Sequence, residues 1–230
     1  INLAASLEKL TNKDVIAMEV KPGQGTWATE LGITSSDGLS NLLKLKPMEI
    51  NTSTVERQLM STSFGVKLLL SSNLSLDIDY ATLTEKTLAI IRALNQLSPL
   101  VILDIGTSFL PGFEKVCEQC NNICLITEPQ PSTIKRTRIL YEEMRSIGSG
   151  LGRVNNLVLY NRVRSEIQLS SSQVSELMGN TPISMMVPPA PELAYQVSIN
   201  HAPMINIQAD SLVAQQINQL AKTIQTQMNR

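Results

Sequence analysis

Short apolar segments alternate with longer amphipathic ones along this chain, and that alternation limits its possible folds more than any other feature. Six segments are apolar at nearly every position: VIAMEV (15–20), GVKLLLS (65–71), LVILDIG (100–106), NICLITE (122–128), NNLVLYN (155–161) and ISMMV (183–187). Strands that are apolar on both faces are typical of a parallel sheet covered by helices, because a sheet with one wet face alternates apolar with polar residues. The sequence therefore predicts six buried, mostly parallel strands.

The segments between these runs have the length and apolar spacing of helices. We expect helices over 80–97, 112–120, 131–147, 171–178, 190–200 and 210–228. Candidate N-terminal caps for three of them are Ser132, Ser171 and Asp210. The opening stretch INLAASLEKL also has apolar residues at helical spacing, so a helix is expected at the start of the chain. This order predicts a doubly wound α/β fold, with a mostly parallel sheet and helices on both faces.

The composition fits one domain of this class. The chain has 230 residues, 43% of them hydrophobic, and no linker rich in Pro, Gly or Ser divides it, so we expect a single domain over 1–230. The 19 Lys and Arg residues nearly balance the 20 Asp and Glu residues, which gives no specific signal for nucleic acid. No apolar run reaches the roughly 20 residues that span a bilayer, and the first residues lack the pattern of a cleavable signal. We therefore expect a cytoplasmic protein without a transmembrane segment.

Three cysteines, Cys117, Cys120 and Cys124, are spaced like the ligands of a metal or redox centre. A structural zinc or iron–sulfur site normally needs four ligands, and His201, the only histidine, lies far along the chain. We expect Cys117 and Cys120 to lie one helical turn apart and to pack as small apolar residues, with Cys124 at the start of the next strand. A cluster bridged between two copies of the chain is the alternative.

One aspartate stands where a parallel sheet gathers its functional residues, at the carboxyl end of a strand. In LVILDIGTSF, four apolar residues are followed by Asp104. This is the Walker B pattern, in which the carboxylate reaches Mg²⁺ beside a nucleotide phosphate. An aspartate that ends a strand is also a common turn former or helix cap, so the pattern alone leaves both interpretations open.

Seven segments, taken in their order along the chain, carry a resemblance to a known family. They are NLAASL, VIAMEVKPGQGTWATELG, GLSNLLKL, LVILDIG, ICLITEPQPSTIKRTRILYEEM, LVLYNRV and VPPAPELAYQVSINHAPMI. The sequence resembles the MinD/ParA family of P-loop ATPases, and most of all the CpaE branch, which helps to place pili and related surface machinery. The resemblance implies a P-loop NTPase fold of the deviant Walker A type, ATP and Mg²⁺ as cofactors, and Asp104 as the residue that reaches the metal.

In that family, NLA-x-x-L is the first helix after a Gly-rich KGGxGK[ST]T loop. The resemblance therefore places the first strand and the phosphate loop ahead of Ile1, and these 230 residues alone are expected to be inactive as an ATPase. GSGLGR (148–153) is not expected to replace the loop, because its glycines follow a predicted helix and lead into a strand. Members of the CpaE branch often carry a receiver-like domain still further upstream.

The switch region departs from the family pattern. The family usually ends this strand with Asp-x-Asp, whose second Asp contacts the attacking water, and here Glu19 and Lys21 align with the two positions. A charged lysine cannot accept a proton, although it can stabilise phosphate charge or replace a phosphate-loop cation. The alternative is an ordinary loop lysine after a strand. If Lys21 faces the phosphates, slow hydrolysis or binding without hydrolysis follows, and the pattern leaves both interpretations open.

The base-binding side follows the family more closely. By resemblance, Asn161 and Arg162 in LYNRV match an Asn-Arg pair whose amide can hydrogen-bond the adenine edge as both donor and acceptor. Pro188 in VPPAP matches a proline beside the same pocket. Without the resemblance, these residues are a strand-terminating Asn and a rigid turn.

Two classes of function follow from the resemblance. The first is an ATPase that dimerises around ATP and acts, with a protein partner, as a switch for positioning or assembling cellular machinery. The second is a degenerate scaffold that keeps the fold for protein binding without hydrolysis, as Lys21 suggests. An iron–sulfur carrier related to the nitrogenase iron protein is disfavoured, because Cys117 follows Asp104 at too great a distance along the chain.

The C-terminal segment raises the question of a membrane anchor, since some relatives end in an amphipathic helix. Its apolar stripe consists of Leu212, Val213, Ile217, Leu220, Ala221, Ile224 and Met228. An interfacial helix normally carries flanking Lys or Arg and bulky aromatic residues, whereas this one has a Gln- and Asn-rich polar face and no aromatic residue. We therefore expect the helix to pack on the sheet rather than on a membrane.

Overall fold

The computed structural model describes residues 1–74, 79–107, 112–146, 154–162 and 168–228. Its strands are β1 Val15–Glu19, β2 Met60–Ser61, β3 Val66–Leu69, β4 Leu100–Asp104, β5 Ile123–Thr127, β6 Val154–Tyr160 and β7 Met185–Val187. Its helices are α1 Asn2–Thr11, α2 Trp27–Glu30, α3 Gly38–Leu43, α4 Thr52–Glu56, α5 Tyr80–Leu97, α6 Phe113–Glu118, α7 Pro131–Ser146, α8 Ser171–Leu177, α9 Pro191–Asn200, α10 Met204–Ile207 and α11 Leu212–Met228, with a 3₁₀ turn at Pro47–Glu49. All six predicted strands are confirmed, and so are the opening helix and the helices predicted after it. GSGLGR (148–153) lies outside the described residues.

The strands form two sheets, in the orders β2-β3-β1-β4 and β5-β6-β7. Every pairing is parallel except that of β2 with β3, which the sequence did not predict because β2 has only two residues. The division falls between β4 and β5, each of which ends its sheet. The α/β fold with mostly parallel strands is confirmed.

The two faces of β1 explain why its sequence is apolar throughout. Val15 and Ala17 lie in one core cluster with residues of α1, whereas Ile16 and Met18 lie in another with residues of α3 and α5. All five residues of β1 are buried. Burial on both faces under helices is the doubly wound arrangement.

The C-terminal helix α11 packs on the core, as predicted. Most of its apolar stripe is buried against α1 and β7, and the Ser6 hydroxyl donates to Asn218 Oδ1 at 2.6 Å. Leu212 and Met228, at the two ends of the stripe, are exposed instead. No helix in the described part of the chain is long and apolar enough to cross a bilayer.

The predicted caps were wrong by a residue or more. The Ser170 hydroxyl, rather than Ser171, accepts from the Gln173 N–H at the start of α8. Ser211, rather than Asp210, accepts from the Ala214 N–H at the start of α11. Ser132 lies inside α7. A cap precedes the first helical residue, and a run of polar residues does not reveal which one holds that position.

Candidate functional site

The carboxyl ends of β1 and β4 lie side by side and bring two of the predicted site residues together. The two strands pair in register, so that Glu19 stands opposite Asp104. Lys21 follows β1 by two residues, and its Nζ lies 2.5 Å from Asp104 Oδ2. The sequence predicted a role for each residue separately, but not this ion pair.

Asp104 is held by main-chain as well as side-chain contacts. The Gly106 N–H donates to Asp104 Oδ1 at 3.1 Å, and the Val20 N–H donates to the Asp104 carbonyl at 2.8 Å. Gly106 has φ +73°, and a Cβ there would lie 3.1 Å from Lys21 Cε. Glycine therefore supplies both the left-handed backbone and the room for the Lys21 stem. Each carboxylate oxygen of Asp104 thus has a donor.

Glu19 is a fully buried carboxylate that organises the loop after β1. Its Oε1 accepts from the N–H groups of Thr26 at 2.9 Å and Trp27 at 3.1 Å, and its Oε2 accepts from the Ser71 N–H at 3.3 Å. These hydrogen bonds join the loop and the start of α2 to the end of β3. Sequence analysis aligned Glu19 with a family position without assigning it these contacts, although a carboxylate ending an otherwise apolar buried strand indicates a polar partner.

The loop KPGQG (21–25) is tied closely to the end of β3. The Ser71 hydroxyl donates to the Lys21 carbonyl at 2.5 Å, and the Gly25 N–H donates to the Ser72 carbonyl at 3.0 Å. A Cβ at Gly25 would lie 1.8 Å from the Ser71 carbonyl oxygen, so the approach requires glycine. The loop borders a pocket of about 210 Å³, which is lined by Val20, Lys21, Pro22, Gln24, Ile105, Gly106 and Thr107.

Two further polar residues are Asn2, in the first turn of α1, and Glu30, which lies near the charged residues of the site. The Asn2 Oδ1 atom, in the first turn of α1, is buried without a hydrogen-bond partner. Ile1 packs against the same core cluster that contains Trp27. Partial burial raises the pKa of Glu30; the charges of Glu19 and Asp104 act in the same direction, and the positive charges nearby, including Lys21, oppose them.

The residues predicted to contact a base lie at the carboxyl ends of β6 and β7. The Asn161 N–H donates to the Val187 carbonyl at 3.0 Å, which places Asn161 beside the start of the Pro188 turn. The Asn161 Oδ1 atom is buried and has no hydrogen-bond partner. Arg162 is 68% exposed, and its Nη1 lies 3.4 Å from Glu128 Oε1. Asn161 and Pro188 are therefore brought together, while Arg162 lies on the surface.

The three cysteines pack in the structure as small apolar residues, as the sequence predicted. Cys117 is buried in α6, Cys120 follows that helix, and Cys124 is the second residue of β5. All three thiols are free. Burial raises the pKa of Cys117 and of Cys124 to about 12 and that of Cys120 to about 11. Burial therefore disfavours the thiolate that a nucleophile or a metal ligand needs.

Comparisons with known proteins show which solved structures have the same fold. No family model matches the chain, and no curated protein does. Among solved structures, a ParA family ATPase from Chlorobium tepidum TLS aligns with a TM-score of 0.80 and 18% identity, covering 96% of this chain and 89% of its own. The septum site-determining protein MinD complexed with Mg-ADP, from Pyrococcus horikoshii OT3, aligns with a TM-score of 0.75 and 17% identity, covering 97% and 87%. MinD in the MinC:MinD complex of Aquifex aeolicus aligns with a TM-score of 0.68 and 18% identity, covering 98% and 88%.

The chain has a doubly wound α/β fold that matches the fold of P-loop NTPases. More narrowly, the chain has the fold of the MinD/ParA-like P-loop ATPases, and the resemblance of its sequence to that family is confirmed at the level of the fold.

Proposed function

We propose that this chain is a single ATP-binding domain over 1–230 that acts in the cytoplasm as a nucleotide-dependent switch. ATP would lie along the carboxyl ends of the strands, as ligands of doubly wound sheets do. Its phosphates would face the pocket beside Lys21 and Gly106, and its adenine would face Asn161 and Pro188. Arg162, exposed at the same strand end, would contribute at the rim of the base site.

The observation that carries the proposal is the buried Oδ1 atom of Asn161. This oxygen has no hydrogen-bond partner, and leaving such an acceptor unpaired costs about 1–3 kcal/mol. The exocyclic amino group of adenine is a donor that would satisfy it, and the side-chain NH₂ of the same amide could donate to a ring nitrogen. An unpaired buried acceptor at the carboxyl end of a parallel strand, where ligands of such sheets bind, fits a ligand contact better than a purely structural role.

The contacts of Asp104 do not match the role of a magnesium ligand that the resemblance assigns to it. The resemblance assigns Mg²⁺ to Asp104, and a MinD of the same fold is described as a complex with Mg-ADP. Magnesium would neutralise phosphate charge. In this chain, however, one Asp104 oxygen accepts from the Gly106 N–H and the other is paired with the Lys21 ammonium. The present arrangement of Asp104 does not fit a divalent cation, so we assign no step to Mg²⁺.

The switch would act by forming a homodimer around ATP and recruiting a protein partner to position or assemble cellular machinery. Two proteins of this fold support the idea, because one is described as septum site-determining and the other as part of a complex with MinC. The finer proposal, from the sequence, is a CpaE-like role in the placement of pili.

A non-hydrolysing scaffold is the second candidate, and Lys21 favours it. The residue stands where the resemblance expects an Asp that contacts the attacking water, and its ammonium is engaged by Asp104. The two candidates differ in one observable property: the switch dimerises only with ATP, whereas the oligomeric state of the scaffold is indifferent to ATP.

The base contact is tested by Asn161→Ala in the protein as its gene encodes it. Calorimetric titration with ATP and with inorganic tripolyphosphate separates the two ends of the ligand. We expect Asn161→Ala to lower the affinity for ATP by about tenfold, which corresponds to the loss of one hydrogen bond, and to leave the affinity for tripolyphosphate unchanged. Asn200→Ala, an exposed Asn at the end of α9, serves as the matched control. Equal ATP affinity in wild type and Asn161→Ala would remove the proposed base site.

A further inference from the structure

We propose that the Lys21 ammonium takes the place of a divalent cation on Asp104, so that Lys21 and a metal ion exclude each other and the site accepts phosphate groups without metal. The inference rests on the proposed function only in naming phosphate as the ligand. The exclusion of metal stands on the geometry of Lys21, Asp104 and Gly106 alone.

The first argument is that both oxygens of Asp104 are engaged by donors. Lys21 Nζ lies 2.5 Å from Oδ2, and the Gly106 N–H donates to Oδ1 at 3.1 Å. A divalent cation that used either oxygen would have to displace one of these donors or accept a positive charge as its immediate neighbour. The first displaces a charge-assisted hydrogen bond, and the second places like charges in contact.

The second argument is that the backbone is built around the lysine. Gly106 has φ +73°, and its missing Cβ leaves the space that the Lys21 stem crosses. The Lys21 carbonyl is fixed by the Ser71 hydroxyl. The main chain of Lys21 is therefore held by Ser71, and its aliphatic stem is accommodated beside Gly106. The ion pair with Asp104 is thus supported by the surrounding structure and is not an incidental contact of a loop side chain.

The third argument concerns the other carboxylate nearby. Glu19 is fully buried, and its two oxygens already accept three main-chain N–H groups. In the residues that the structure describes, no group of three His, Cys, Asp or Glu side chains could hold a metal ion. Glu30, whose charge also reaches this site, does not complete a metal-binding group with Asp104 in the described residues.

The exposure of the pair allows an anion to reach it. The side chains of Lys21 and Asp104 are 23% and 32% exposed, and Lys21 lines the pocket beside Gly106. An ammonium carries three donors and can therefore bind Asp104 and a phosphate oxygen together. Lys21 would act on phosphate charge as a metal ion does elsewhere, and it would be present before the ligand arrives.

The test uses Tb³⁺, an oxygen-seeking cation whose luminescence is sensitised by a nearby tryptophan. Trp27 is the only tryptophan of the chain, and its main-chain N–H donates to Glu19, the strand partner of Asp104. Titration is done without nucleotide on wild type, Lys21→Met and Lys21→Arg, with Lys13→Met as a control that removes an exposed charge elsewhere. Lys21→Gln stands in if Lys21→Met fails to fold, as judged by circular dichroism.

We expect Lys21→Met to bind Tb³⁺ at least about tenfold more tightly than wild type, because one repulsive charge is removed and one oxygen is freed. Adding Asp104→Asn to Lys21→Met should abolish the gain, and Lys21→Arg and Lys13→Met should behave as wild type. Equal Tb³⁺ affinity in wild type and Lys21→Met would overturn the inference, and so would a gain that survives Asp104→Asn.

A second titration tests the phosphate half with inorganic tripolyphosphate in EDTA. Wild type should bind, and Lys21→Met should bind at least about tenfold more weakly because it lacks the resident cation. Equal binding by the two would refute this half. Because the Tb³⁺ titration uses no nucleotide, it separates failure of this inference from failure of the proposed function. If the protein binds ATP but wild type and Lys21→Met bind Tb³⁺ equally well, only the inference is refuted. If Lys21 excludes Tb³⁺ but the protein does not bind ATP, only the proposed function is refuted.

Discussion

Replacing Glu19 should destabilise the fold more than replacing any exposed carboxylate. Glu19→Ala removes the acceptor of three main-chain N–H groups, those of Thr26, Trp27 and Ser71. Thr26 is exposed and its N–H can return to water, but Trp27 and Ser71 are buried. Each buried N–H left without an acceptor costs about 1–3 kcal/mol. Removing the carboxylate also removes the cost of burying its charge, and this gain offsets part of that loss. We expect Glu19→Ala to lower the free energy of unfolding by about 3 kcal/mol.

Glu19→Gln refines the prediction, because it keeps one oxygen and nearly the same shape. That oxygen can still accept from Thr26 and Trp27, whereas Ser71 loses its acceptor, so a loss of about 1–2 kcal/mol is expected. The assay is urea unfolding, read as a shift in midpoint at unchanged slope. Glu85→Ala, an exposed position in α5, is the control and should change the free energy by less than about 0.5 kcal/mol. A Glu19→Ala variant as stable as Glu85→Ala would refute the view that this carboxylate organises the loop.

Three further predictions concern the loop, the cysteines and the last helix. Gly25→Ala should cost at least about 2 kcal/mol in urea unfolding, because its Cβ would lie 1.8 Å from the Ser71 carbonyl oxygen; a neutral result would contradict that close approach. The raised pKa values of Cys117, Cys120 and Cys124, at about 11 to 12, mean that the folded state holds thiol protons that the unfolded state has released. The free energy of unfolding should therefore fall as pH rises above the unfolded-state pKa of about 8.5, and a stability that rises between pH 8 and 10 in a Cys-dependent way would disprove the burial of these thiols. Deleting residues 210–230 should lower the melting temperature or cause aggregation by uncovering the core beneath Val213, Leu220 and Ile224, whereas a folded deletion variant that loses liposome co-sedimentation would make the segment a membrane anchor.

The fold could be predicted from sequence largely because its strands are apolar on both faces. Val15–Glu19 illustrates this, since alternate residues enter two different core clusters and no polar position is left for solvent. The two-residue strand Met60–Ser61 escaped prediction because its pairing with Val66–Leu69 is a tertiary contact without a periodic pattern. The cap of α8 was misplaced because Ser170, Ser171 and Ser172 are three identical neighbours, and sequence alone does not show which of them precedes the helix.

The site could be predicted only in part. Asp104 was found from its position at a strand end and Lys21 by resemblance, but they are 83 positions apart, and only the parallel register of β1 with β4 brings them into contact. Asn161 and Pro188 were found by resemblance, while the missing hydrogen-bond partner of Asn161 is a property of the packed side chain. Glu19 was overlooked as a structural residue because its partners are main-chain groups, and sequence patterns do not show those.

The central claim, a switch driven by ATP, is tested most directly by the molar mass of the protein with and without nucleotide. Light scattering after gel filtration is applied to the protein as its gene encodes it, first alone and then with a non-hydrolysable ATP analogue. The account predicts a monomer that becomes a dimer with the analogue, and an Asn161→Ala variant that needs about tenfold more analogue to dimerise. A mass that does not change with the analogue, or a dimer that forms equally in its absence, would contradict the switch and favour the scaffold.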